Sequence, residues 1–265
     1  MKTSFAFLLL LVGKYYLLYP YGEAVGDQKN PKDDDGTSPE IHISQPYSFY
    51  GKKYNSLFVN NNGVVSFGKQ VSQFTPDPFP LGDNQAFVAP YWGDVNNVLG
   101  GEIYYRETQD PDVLRRATKD VNAYYPDAPF TATWTFIATW DKVAYFGSAS
   151  RKRNTFQAVL ITDGSKSIII LNYANIEWTT GLASGGNART GLGGFPAQAG
   201  FNSGDDKNYY NIPNSRTDEI LHIGDTSNVE VPGRWVFEVD DVQIESCLND
   251  KTTHFLSLQF LSACD

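Results

Sequence analysis

A mainly β fold, a two-layer antiparallel β-sandwich with one short-to-medium α-helix and long loops, is what the sequence predicts. Three observations carry the prediction. Apolar runs are short and alternating, and Asn, Gly, Asp or Pro punctuates them at close intervals. Aromatics make up 14% of the chain, mainly as 16 Tyr and 17 Phe, which suits the half-buried surface of a pleated sheet. A single stretch breaks into helical period, whereas a doubly wound α/β fold needs a helix between successive strands.

In chain order, Lys2 followed by the apolar run Phe5 to Val12 has the form of a secretory signal. A second apolar stretch, Tyr15 to Tyr21, is interrupted from the first by Gly13 and Lys14 and carries Pro20. The two together do not give the about 20 continuous apolar residues of an anchor. Residues 1–22 are therefore expected to be the signal peptide, with cleavage between Gly22 and Gly26. Residues 23–45 are expected to form a flexible polar leader. Its run Asp33-Asp34-Asp35-Gly36 has no acidic partner in Thr37-Ser38-Pro39, so it reads as a leader rather than a calcium loop.

From Ile41 the pattern is strand, turn, strand. Ser56 to Phe67 places apolar residues on both sides of Asn60-Asn61-Asn62-Gly63, the residue types that tolerate positive φ in hairpin turns. Phe79 to Trp92 contains Pro80 and Pro90 and reads mainly as loop, with a short apolar piece at Ala86 to Ala89. Ile103 to Arg106 is a further strand. Asp112 to Tyr125 then puts Val113, Arg116, Ala117, Val121 and Tyr124 on one face, between Pro111 at its start and Pro126 beyond its end, which predicts the helix.

Phe130 to Asp141 alternates most regularly. Phe130, Ala132, Trp134, Phe136, Ala138 and Trp140 fall on one face and Thr131, Thr133, Thr135, Ile137 and Thr139 on the other, as in a central strand. Thr155 to Thr162 and Lys166 to Tyr173 flank Asp163-Gly164-Ser165 and predict a long hairpin packed against it. Arg234 to Val239 closes the fold. No internal repeat of fixed period is found.

Composition narrows function. The formal charge of −9 disfavours nucleic acid as a partner. The short basic clusters Arg115, Arg116, Lys119 and Arg151, Lys152, Arg153 read as solvated faces. His42, His222 and His254 are the only histidines, too few and too scattered for a zinc site or a histidine-centred triad, and His222 reads as a surface residue. The neighbouring carboxylates Asp205-Asp206 and Asp240-Asp241 point apart in a strand or into solvent in a loop, so neither gives a glycosidase pair. Gly181 to Gly194 lacks the Gly-Lys-Ser/Thr ending of a phosphate loop and the spacing of a dinucleotide fingerprint. It is expected to be a mobile loop and a place of partner contact. Asp94, with Asn96 and Asn97, offers oxygen ligands for calcium, although capping of a turn uses the same residue types. No catalytic residue and no cofactor are expected. No Asn-x-Ser/Thr sequon occurs, and Cys247 and Cys264 are the only cysteines. The domain is therefore held by its apolar core, while the two tail cysteines can pair, stay free or bridge chains.

Ordered stretches of the chain resemble the nidogen-like (NIDO) domain family: Asn61-Asn62-Gly63-Val64-Val65-Ser66-Phe67, Phe87-Val88-Ala89-Pro90-Tyr91-Trp92-Gly93-Asp94-Val95 and Gly101-Glu102-Ile103-Tyr104-Tyr105-Arg106. Asn154-Thr155-Phe156-Gln157-Ala158, Ala199-Gly200-Phe201-Asn202 and Val231-Pro232-Gly233-Arg234-Trp235 continue the likeness. Arg115-Arg116-Ala117-Thr118-Lys119-Asp120 and Trp178-Thr179-Thr180-Gly181 resemble the tectorin-type members. The resemblance places the domain at residues 46–244 and leaves 245–265 as a C-terminal tail. It implies a secreted structural protein of the extracellular matrix, acting in cell-matrix adhesion in a tectorial-membrane-like matrix, with matrix proteins or glycans as partners and no catalytic residues to carry over. Tectorin-type chains continue into cysteine-rich von Willebrand type D repeats and a zona pellucida module, so the tail containing Cys247 reads as truncated. A secreted calcium- or glycan-dependent recognition module, with Asp94, Asn96 and the Gly-rich loop as its site, is the alternative expectation.

Overall fold

A computed structural model of the chain describes residues 14–82 and 84–240. Its strands are β1 (Gln28–Lys29), β2 (Ile41–Phe49), β3 (Lys52–Asn60), β4 (Val64–Phe67), β5 (Phe87–Trp92), β6 (Val95–Asn96), β7 (Glu102–Thr108), β8 (Trp134–Tyr145), β9 (Asn154–Thr162), β10 (Ser167–Asn175), β11 (Gln198–Asn202), β12 (Tyr209–Asn211) and β13 (Arg234–Glu238). The α-helix α1 (Pro111–Tyr124) joins β7 to β8. The strands form two antiparallel sheets in the orders β1-β7-β8-β9-β10-β13, with β6 beside β8, and β12-β11-β5-β4-β3-β2. This is the expected β-sandwich.

The alternation of β8 is what joins the two sheets. Trp134, Phe136, Ala138 and Trp140 point between them and meet Val59, Val65, Val88 and Tyr91 of the opposite sheet. Each buried aromatic removes about 150–250 Å² from water, the largest apolar contribution any side chain makes. On the other face of β8, Ile137 joins Val159, Ile161, Ile168 and Ile170 beneath Val113, Ala117 and Val121 of α1. The near-continuous apolar character of β9 and β10 follows, because both of their faces are covered.

Helix α1 begins where the sequence indicates. The Asp110 carboxylate accepts from the N–H groups of Asp112 and Val113, and Pro111 occupies the first turn, where no N–H is needed. At the β9–β10 turn, the Asp163 carboxylate accepts from Ser165 and Lys166 N–H, and Gly164 takes φ +95°.

Three expectations are corrected or redrawn. First, β8 starts at Trp134, not at Phe130. The Asn122 side chain bonds both N–H and C=O of Phe130, and Thr118 Oγ1 accepts from Ala132 N–H, so this segment turns under α1. Phe130 and Ala132 therefore join the helix-side cluster, opposite to Trp134.

Second, Phe87–Trp92 is a full, buried strand despite Pro90. Pro90 falls where the β5–β11 register shifts between Gln198 and Gly200, and β4 pairs only with Phe87 and Val88. No ladder partner needs the missing N–H there.

Third, residues 14–22 and 23–45, assigned from the sequence to the signal end and the leader, pack against the sandwich in this structure. Tyr19 is fully buried, and its N–H and C=O are both held by the Gln157 side chain at 2.8 and 3.0 Å. Arg116, expected on a solvated face, stacks 4.1 Å over the Tyr19 ring and donates to the carbonyls of Tyr16, Leu17 and Leu18. Arg234 donates to Leu17 C=O and to Asp120. Downstream, β1 pairs with β7, and Asn30 and Ser38 are buried. The apolar run Phe5 to Val12, Asp241, His254, Cys247, Cys264 and the tail 245–265 lie outside the described residues.

Candidate functional site

Loops from both sheets gather at one end of the sandwich, around the link between β5 and β6. Asp94 sits in this link with its side chain turned inward and 2% exposed. Its backbone is fixed from three directions. Gly93 N–H donates to Asn62 C=O, Val95 N–H donates to Asn62 Oδ1, and Phe146 N–H donates to Asp94 C=O at 2.9 Å. The Asn60-Asn61-Asn62-Gly63 turn therefore does more than reverse the chain: its side chains organise the whole end. Asn61 Nδ2 donates to Asp33 C=O, and Asn62 Nδ2 to Asp35 Oδ1, so the acidic run lies across the turn.

The result is an acidic cluster assembled from two distant segments. Asp34, Asp35 and Asp94 each offer a carboxylate oxygen within 4.8 Å of the others. The acidic partner that Gly36 to Pro39 does not supply comes from the β5–β6 link. Two unit charges at this range repel by roughly 3–4 kcal/mol at an effective dielectric constant of about 20. Burial, with the charges of Asp34 and Asp35 added to it, pushes the Asp94 carboxyl up to about 7, against the lowering effect of N–H groups from Ala183 and Ser184. Asp94 Oδ2 is buried without a hydrogen-bond partner.

The Gly-rich loop forms one wall. Gly181 packs so tightly on the Asp94 carboxylate that a Cβ there would overlap it. Beyond Gly181 the loop is folded back by Gly186 N–H to Gly181 C=O, Asn187 N–H to Leu192 C=O and Phe195 N–H to Ser184 C=O, and Tyr145 OH donates to Ala188 C=O at 2.6 Å. It is a hydrogen-bonded cap whose exposed large apolar side chains are Leu182 and Phe195.

The three residues singled out in the sequence for calcium have separate employments. Asn96 Oδ1 accepts from Val98 and Leu99 N–H, capping a turn, while its Nδ2 donates to Asp34 Oδ1. Asn97 Oδ1 accepts from Asp33 N–H and from Asn61, and its Nδ2 donates to Pro31 C=O. Only Asp94 joins the acidic cluster. Asp34 and Asp35 were not grouped with Asp94 in the sequence because the two segments are remote from each other; the density of Asn around both loops was the available signal that they meet.

Elsewhere, His222 is exposed and 3.5 Å from Asp225, and His42 is exposed on β2. Asp205 is spent on a turn, accepting from Lys207 and Asn208 N–H. Among the described residues no helix is long and apolar enough to cross a membrane.

Comparison with known proteins gives the family. The nidogen-like domain model matches residues 55–241. Alpha-tectorin of Homo sapiens is 55% identical over 231 residues, which cover 86% of this chain and 11% of that protein. Alpha-tectorin of Gallus gallus is 53% identical over 230 residues, with the same two shares. Nidogen-1 of Mus musculus is 30% identical over 254 residues, covering 88% of this chain and 20% of its own length. The chain thus spans only about a tenth of the alpha-tectorins it matches. No solved structure matches. With the sandwich, the Asn-rich turn and these relatives in agreement, the chain belongs to the nidogen-like domain family.

Proposed function

We propose that the protein is a secreted structural component of the extracellular matrix that works by adhesion, through the surface of its nidogen-like sandwich. The observation that carries the reading is the family match across residues 55–241, joined to more than half identity with alpha-tectorin over most of the chain. The structure offers a contact surface consistent with it. At the Asp94 end, Leu182 and Phe195 stand exposed on the Gly-rich cap, and Val98 and Leu99 on the neighbouring turn. Apolar side chains held out on hydrogen-bonded loops are common material for recognition. The net charge of −9 favours neutral or basic matrix proteins and neutral glycans over sulfated polysaccharides.

The test is solid-phase binding of the purified chain to a panel of purified matrix proteins and glycans. Saturable binding to at least one member is expected. The double variant Leu182→Asp, Phe195→Asp should weaken it at least tenfold while keeping the wild-type unfolding midpoint. Binding to no member of the panel would count directly against the adhesive role.

A further inference from the structure

We propose that Asp34, Asp35 and Asp94 form a binding site for a calcium ion, which clasps the 31–37 segment and the Gly-rich cap to the end of the sandwich. The site does not depend on the matrix reading, and its test measures metal binding rather than adhesion.

Four observations lead to it. Three carboxylates converge with an oxygen apiece inside 4.8 Å. Calcium–oxygen distances of about 2.3–2.6 Å place ligands on opposite sides of the ion no more than about 5 Å apart, so one ion reaches all three. Among the described residues no ion pair engages Asp34, Asp35 or Asp94, so no lysine or arginine balances the cluster there. Finally, Asp94 Oδ2 is buried with neither water access nor a hydrogen-bond donor, a state that costs free energy unless a cation or a proton meets it.

The surroundings are arranged to hold carboxylates in place rather than to neutralise them. Asn96 Nδ2 fixes Asp34 at 2.7 Å, and Asn62 Nδ2 fixes Asp35 at 2.8 Å. These neutral donors use part of the accepting capacity of Asp34 and Asp35 and leave the remainder for a metal. An all-oxygen donor set without His or Cys selects a hard cation. The irregular approach of three carboxylates from two loops suits calcium, which accepts 6–8 oxygens in flexible geometry, better than magnesium, which demands a near-ideal octahedron. Backbone carbonyls and water would complete the shell.

The experiment is equilibrium dialysis of the purified, EDTA-treated full chain against radiolabelled calcium, with thermal unfolding followed in parallel. One calcium per chain is expected, with an unfolding midpoint several degrees higher in calcium than in EDTA and no comparable rise in magnesium. Asp94→Asn should abolish both the uptake and the shift, yet unfold in EDTA at or above the wild-type midpoint, because it relieves buried like-charge repulsion. Asp35→Asn, at a half-exposed position, should lower calcium affinity at least tenfold and reports on the site should Asp94→Asn not fold. Absence of uptake and shift in the wild-type chain, or full uptake retained by Asp35→Asn, overturns the proposal.

Discussion

Gly63 ends the Asn-rich turn at φ +83°, and a Cβ there would be driven into the Tyr91 carbonyl of the adjacent strand. Both the backbone region and the lack of space exclude any other residue. Gly63→Ala is expected to cost about 3 kcal/mol or more, read as a lower urea midpoint with an unchanged m-value. Asp205 illustrates the opposite economy, an ionised group used as local scaffold. Burial alone would raise its carboxyl, but hydrogen bonds from the Asn208 backbone, the Asn208 side chain and Lys207 hold it well below the usual carboxylate range. A carboxyl with a depressed folded value adds stability above its unfolded value of about 3.9 and loses it as pH falls through the folded one. Asp205→Asn should therefore be less stable than wild type at pH 7, with the gap beginning to narrow only below about pH 4, as urea melts across pH 3–7 will register.

At the scale of elements, the strap of residues 14–22 decides how the outer face beside α1 is closed. Its backbone has few neighbours of its own kind, so side chains of Gln157, Arg116 and Arg234 take up its polar groups. Gln157→Leu would leave the buried N–H and C=O of Tyr19 without partners, at a cost of about 3 kcal/mol measurable in urea. The same contacts predict that the mature protein keeps this strap. Mass spectrometry of the purified, processed chain should place its first residue at or before Lys14, and a chain made to begin at Glu23 should be recovered in much lower yield. The sequence showed Tyr15 to Tyr21 as a second apolar stretch, but apolarity alone does not distinguish a signal from a core-directed strap. Helix α1 was legible to within a residue, because Pro111 and the spacing of Val113, Ala117 and Val121 are local signals. The start of β8 was not, because alternation continues through Phe130 and Ala132 while the bonds that redirect them come from Asn122 and Thr118 on the helix.

For the whole molecule, two sheets clamped by Trp134, Phe136, Trp140, Tyr91 and Tyr173 form one continuous core, and residues 14–240 contain no cysteine. Stability on this plan is a property of packing, so the unfolding midpoint should be the same with and without reductant, a comparison that calorimetry makes directly. The sequence by itself determined the sandwich class, the helix after β7, the hairpin at the Asn-rich turn, the long β9–β10 hairpin and the poverty of catalytic groups, because period, turn residues and composition act over a few neighbouring positions. Only the tertiary structure decided that Asp34 and Asp35 meet Asp94, that Asn96 and Asn97 serve turns, and that Tyr19 belongs to the core. Each of these depends on contacts between segments far apart in the chain, where hydrogen-bond partners and burial are fixed by how the sheets stack rather than by any local pattern.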